Sequence, residues 1–187
     1  MGSAEGEGLF RSVYDQHHTD VLAYFLRRLD PEDAAEATAD VFLVVWRRAD
    51  RLPPASERRL WLFGVAHNVL RNRRRMGRRL ARLVARVASA PIDPPLQPEM
   101  IVVRRAEEDE LLAVLGRLPR ADREVLRLRL WEELGFEEVA SILGCSPHAA
   151  EQRYAKALRR LRSACQRSGH VVASGTRPVP LTEERTP

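Results

Sequence analysis

The segment Phe136 to Arg162, FEEVASILGCSPHAAEQRYAKALRRLR, constrains the fold more than any other stretch of the chain. Two amphipathic runs are joined by Gly-Cys-Ser. In the first run Val139, Ala140 and Leu143 face one way at helical spacing. Ala140 is small where two helices must cross closely. Gly144 can take the left-handed conformation that ends a helix, Ser146 can cap the next one, and Pro147 suits its first position. Ala150, Tyr154, Leu158 and Leu161 then form a buried stripe, leaving His148, Ala149, Glu151, Gln152, Arg153 and Lys156 to face outward. Arg159, Arg160 and Arg162 extend the positive charge. This is the grammar of a helix-turn-helix, whose second helix enters a DNA major groove. A plain helical hairpin with a solvated face would require no such agreement of cap, Gly turn, small crossing residue and basic face.

The remaining composition is compatible with that reading. With 187 residues and 44% hydrophobic content, the chain can form one ordinary domain or two small ones with buried cores. A net charge of +5 favours a polyanionic partner. Lys156 is the only lysine, so nearly all of the positive charge is arginine, which makes forked contacts to phosphate and guanine. GC-rich codons alone would also enrich Arg and Ala. The two cysteines, Cys145 and Cys165, have neither metal-ligand spacing nor a disulfide framework. No apolar run approaches the ~18 residues of a membrane span, and the opening MGSAEGEG is not a signal pattern. A soluble, cytoplasmic, all-α protein with no metal, no cofactor and no membrane insertion is expected.

Two helical blocks are predicted. In the first, from about Leu9 to Arg82, residues Phe10, Val13, Tyr14, Val21, Phe25 and Leu29 recur at helical spacing. Asp30-Pro31-Glu32-Asp33 restarts a helix with a capping Asp, a first-turn Pro and acids at the positive dipole end. That helix carries Ala35, Thr38, Phe42, Val45 and Trp46 on one stripe. Its other face begins acidic with Asp33, Glu36 and Asp40 and ends with Arg47 and Arg48. Residues 50–56 read as a loop, and a third helix runs from about Glu57 to Arg75. Residues 83–105, with Pro91, Pro94, Pro95 and Pro98, read as an extended linker. The second block, 106–165, reads as four helices broken at Pro119, at Leu134-Gly135 and at the Gly-Cys-Ser turn. Residues 1–8 and 166–187 are expected to be disordered.

The first block has its own nucleic-acid signature. Arg71, Arg73, Arg74, Arg75, Arg78, Arg79 and Arg82 fall within twelve residues that contain no acid. They continue a helix bearing Trp61, Phe63, His67 and Asn68. Basic side chains beside aromatics suit unstacked bases, where stacking contributes ~1–3 kcal/mol per base. Trp61 and Phe63 also suit a core, and a charge run also suits a solvated face.

Three segments in this order, DPEDAAEATADVFLVVWRR, RRLWLFGVAHNVLRNRRR and LGRLPRADREVLRLRLWEELGFEEVASILGCSP, resemble the bacterial RNA polymerase sigma factors of the extracytoplasmic-function type. The resemblance spans about Leu9 to Ala164 and implies two small helical domains, sigma regions 2 and 4, joined by a linker. It further implies that Asp33, Glu36, Asp40, Phe42 and Trp46 dock the clamp helices of the polymerase's largest subunit. Arg51, Ser56, Trp61, His67, Asn68, Arg71, Arg73 and Arg74 would meet the −10 element, with a flipped base held by the loop around Arg51 to Glu57. Ser146, His148, Ala149, Glu151, Gln152, Arg153 and Lys156 would read the −35 element as duplex. The linker would thread toward the RNA exit path, the flap region would be a second polymerase contact, and an anti-sigma factor is a partner that such proteins often have.

The chain departs from this pattern in four places. Glu151 stands where a basic residue is usual, His148 where a small one is, Ala39 where Gln is common, and Val44 where a basic residue is common. An unusual −35 preference and weaker clamp contacts would follow. A stand-alone helix-turn-helix regulator is the second reading, but it has no use for the first block. An enzyme would need clustered carboxylates or a nucleophile with a base. His17-His18, the nearest thing to a metal pair, point to different helix faces.

Overall fold

The computed structural model describes residues 4–87 and 113–167, and no strand occurs among them. The chain divides into two compact units, one on either side of residue 101. Most of the expected linker and most of the expected C-terminal tail lie outside the described residues.

The first unit is three helices, α1 (Ala4–Leu26), α2 (Pro31–Arg47) and α3 (Ala55–Val87), with a 3-10 turn at Ala49–Arg51. Helix α1 begins at Ala4, so residues 4–8, expected to be disordered, are helical, while residues 1–3 lie outside the described residues. Gly6 and Gly8 disfavour helix, but Glu5 and Glu7 stand at the positive end of the dipole, and Glu7 pairs with Arg11 at 3.8 Å. Leu29 falls in the turn after α1. Helix α2 starts as its sequence predicts: Asp30 Oδ1 accepts a hydrogen bond from the Asp33 backbone N–H at 2.8 Å, with Pro31 first in the helix. Its buried stripe is Ala34, Ala37, Thr38, Val41, Phe42 and Val45. Ala35 and Trp46, expected on that stripe, are exposed, because the interior lies between α1 and α3 and selects a slightly rotated line.

Helix α3 starts at Ala55, so Ser56 and Glu57 occupy its first turn and not a loop. It also runs past Arg75 and Arg82 to Val87, taking in residues 83–87 that read as linker. Arg, Leu, Ala and Met propagate a helix well, and Gly77 alone does not stop it. Tyr24 and Phe25 of α1 pack with Leu62, Phe63, Ala66 and Leu70 of α3, and the Tyr24 and Phe63 rings stack at 5.7 Å. Phe63 is thus a core residue.

In the second unit a helical stretch at 113–116 precedes α4 (Arg120–Leu130), α5 (Phe136–Leu143) and α6 (Pro147–Arg167). Pro119, Gly135 and Gly144 fall at the three breaks. Helix α6 extends through Arg167, so residues 166 and 167 are not tail. Arg129 ties the helices together: its guanidinium lies 4.4 Å over the Phe136 ring and 5.9 Å from that of Tyr154, and it donates a hydrogen bond to the Leu134 carbonyl.

Candidate nucleic-acid interface

The turn between α5 and α6 closes as its residues require. Gly144 has φ +67 and ψ +45, a left-handed conformation that favours glycine. The Ala149 N–H donates to Ser146 Oγ at 3.2 Å, which caps α6. At the start of α5, the Gly135 N–H donates to Glu138 Oε2 at 2.6 Å. Val139 and Ala140 are buried, while Leu143 is only half-buried.

The buried side of α6 is Ala150, Ala157, Leu161, Ala164 and Cys165, with Tyr154 and Leu158 half-buried at its margin. Ala157, which was not expected on the stripe, is fully buried at its centre. Burial pushes the Cys165 thiol up, away from the reactive thiolate. His148, Gln152, Lys156 and Arg159 are exposed and succeed one another at helical spacing, so they form one outward line. Glu151 is exposed on one flank of that line, and Ala149 and Arg153 are half-buried on the other. Arg160, expected to extend the basic face, is instead paired with Asp122 of α4. Arg159 stands on the outward line, and its spacing of three from Lys156 and seven from Gln152 is the signal that finds it.

In the first unit the expected −10 residues separate by helix face. Successive residues turn by about 100° around a helix, so His67, Arg71 and Arg74 share one side of α3, with Asn68 and Trp61 next to them. Asn68 and Arg71 are exposed; Trp61, His67 and Arg74 are half-buried. Arg51 is exposed in the 3-10 turn and Ser56 in the first turn of α3. Arg73 lies on the inner side with Ala66 and Leu70, facing α2. Its Nε and Nη2 donate to Asp40 Oδ2 at 3.1 and 2.9 Å, and Nη1 and Nη2 donate to Glu36 Oε2 at 3.2 and 3.3 Å. Asp33 is 3.6 Å away. Burial works against the charge of Arg73, but these bonds and carboxylates outweigh it and raise its pKa above the ordinary arginine value.

The expected docking residues of α2 also separate. Asp33, Glu36 and Asp40 form the acidic face next to Arg73. Phe42 and Trp46 lie about half a turn round the helix, against α1. Phe42 is only 4% exposed, with its ring 4.7 Å from that of Tyr14 and 6.4 Å from that of Phe10, so it is a support and not a surface contact. Trp46 is 45% exposed and meets the Phe10 ring edge-on at 5.2 Å. Tyr14, expected on the apolar stripe of α1, and Leu43, which the sequence pattern did not single out, add exposed apolar surface. No described helix is long and apolar enough to cross a membrane.

Residues 13–89 match the Sigma-70 region 2 family and residues 108–161 match Sigma-70 region 4. The chain is 30% identical over 171 residues to the RNA polymerase sigma factor NccH of Alcaligenes xylosoxydans xylosoxydans, covering 89% of this chain and 92% of that one. It is 29% identical over 136 residues to the sigma factor YlaC of Bacillus subtilis strain 168, covering 72% and 79%. Among solved structures it is similar to RpoE of Bartonella quintana in complex with the anti-sigma factor NepR, with a TM-score of 0.66, 18% identity and coverage of 84% and 96%. It is also similar to CnrH in complex with the cytosolic domain of CnrY, with a TM-score of 0.59, 24% identity and coverage of 84% and 88%.

Proposed function

We propose, for a chain that belongs to the RNA polymerase sigma factors of the extracytoplasmic-function type, a division of labour between the faces described above. The protein binds core RNA polymerase, directs it to specific promoters and assists their opening. The acidic face of α2 docks the clamp helices of the largest subunit, and the exposed Trp46, farther round the helix beside α1, is a second contact. The outer side of α3, with Trp61, His67, Asn68, Arg71 and Arg74, engages the −10 element. Arg51 and Ser56 stand where a flipped base would be held, and flipping a base costs a few kcal/mol that a fitted pocket offsets. The outward line of α6 reads the −35 duplex, and the flap region is a second polymerase contact.

The observation that carries this reading is the division of α3. One side presents Arg71 and Asn68 outward, and the other holds Arg73 against the carboxylates of α2. A single three-helix unit therefore carries a nucleic-acid face and an acidic protein-docking face. A stand-alone regulator would have no use for that unit. The chain itself performs no chemistry in this scheme; polymerase does, in the cytoplasm where it works. RpoE is seen bound to the anti-sigma factor NepR and CnrH to the cytosolic domain of CnrY, and we extend an anti-sigma partner to this chain. Its absence from material co-purified under non-inducing growth would count against that extension.

The central test is reconstitution with core polymerase and mapping of transcript starts. Starts preceded by a shared pair of elements are expected, and random starts would sink the proposal. Permanganate footprinting of the same promoters should show lost opening when Arg71 and Arg74 both become Ala.

A further inference from the structure

Within the arginine run 71–82, Arg73 turns its guanidinium to the carboxylates of α2. All three guanidinium nitrogens point to carboxylates of α2, and its side chain is 28% exposed, while those of Asp33, Glu36 and Asp40 remain 55%, 64% and 49% exposed. Its fork is therefore committed within the protein, and the acids that it holds stay open to a partner. Glu36 and Asp40 are four residues apart on one helix, where like charges repel and spread their side chains over several rotamers. A forked donor bonded to one oxygen of each removes that freedom.

We propose that Arg73 is a positioning residue for polymerase docking and not a contact to the −10 strand. It rests on the reading of α2 as the docking face. Arg73 holds Glu36 and Asp40 in the arrangement that a basic polymerase surface meets, so that less side-chain freedom is lost on binding. Because Arg73 belongs to α3, the docking face of one helix is set by the helix that carries the promoter contacts on its opposite side.

The test compares the affinity of full-length variants for core polymerase, with thermal unfolding measured alongside. Arg73→Met keeps the packing of the long side chain, and the carboxylates left behind are about half exposed and stay hydrated, so the loss of the pair costs folding little. It should leave the melting temperature near wild type and weaken core binding about fivefold through faster dissociation. Arg73→Lys, a point donor without the fork, should fall between the two. Wild-type core affinity in a folded Arg73→Met protein overturns the proposal. So does wild-type affinity in Arg73→Lys if Arg73→Met is too unstable to assay. Fork-junction DNA built from a mapped promoter supplies the second readout, at saturating sigma. Arg71→Ala should weaken retention of that DNA and Arg73→Met should not; the reverse order also overturns the proposal. Asp40→Asn separates the two levels. If it weakens core binding while Arg73→Met does not, only the role of Arg73 fails. If neither variant matters, α2 is not the docking face.

Discussion

Arg160 of α6 reaches back to Asp122 in the first turn of α4, whose carboxylate side chain is only 7% exposed. Two neighbouring arginines of one helix therefore have different duties. Arg160 fastens α6 to the unit that carries it, and Arg159 stands on the exposed line with His148, Gln152 and Lys156.

That division predicts opposite signatures. Arg160→Ala should destabilise the protein by about 1–2 kcal/mol, since it leaves a largely buried carboxylate without its partner but the arginine itself is half exposed. Its salt dependence of DNA binding should hardly change. Arg159→Ala should leave stability alone and reduce the slope of log affinity against log salt by about one. Urea unfolding and a salt series of gel shifts measure both, and equal slopes for the two variants would refute the distinction.

His17 should make the first unit sensitive to mild acid. It is 7% exposed, and its Nε2 has no hydrogen-bond partner. Burial pushes its pKa down, Asp20 pulls it up, and Arg59 and Arg58 push it further down, so that it lies below the ordinary 6.5. The unfolded chain then binds this proton more readily than the folded one. Stability from neutral His17 is complete above the unfolded value and is lost as pH falls through it toward the folded one. His17→Leu should show a shallower loss of stability than wild type between about pH 7.5 and about pH 5.5, read by urea unfolding. Parallel curves would show that His17 does not titrate differently on folding.

Phe42 and Trp46, grouped by sequence, should behave differently. Phe42→Ala empties a site between α1 and α2 and should cost about 3 kcal/mol of stability, so its effect on polymerase binding is indirect. Trp46→Ala removes a half-exposed ring and should change folding by well under that amount. Its effect should be on core affinity. Comparable melting temperatures for the two variants would contradict the burial described here.

Gly144 isolates backbone strain from crowding. A Cβ there would meet nothing within 4 Å, yet φ is +67. Gly144→Ala should therefore cost about 1 kcal/mol from conformation alone, and Gly144→Asn less, because Asn tolerates the left-handed region. Denaturant titration decides it; a neutral Ala variant would mean that the turn relaxes.

Glu151 lies exposed on the flank of the outward line of α6. Glutamate can accept from the amino group of cytosine but repels phosphate. Glu151→Lys should raise nonspecific DNA affinity and steepen the salt slope by about one. No change in a gel-shift series would place Glu151 away from DNA.

The local parts of this protein were legible from its residues. The Asp30 cap, the Gly144 turn and the Ser146 cap each depend on groups within four positions of one another. So does the basic, acid-free run of α3. Amphipathic spacing located the helices, though it placed the start of α1 too late and the end of α3 too early. Glycine composition and a charge run do not tell where a helix ends once dipole, ion pairs and good helix formers favour its continuation.

The sequence alone determined that this chain forms two helical blocks, one with a helix-turn-helix and one with a basic helix, because those features arise from neighbours along the chain. Only the tertiary structure decided which arginines are held by carboxylates of another helix. Arg73 and Asp40 are 33 positions apart, and Arg160 and Asp122 are 38. Adjacent helix positions differ in direction by about 100°, so the choice between Arg73 and Arg74, or between Arg159 and Arg160, follows from where another helix crosses. No window of sequence contains that crossing, and the two ion pairs form only after the helices have packed.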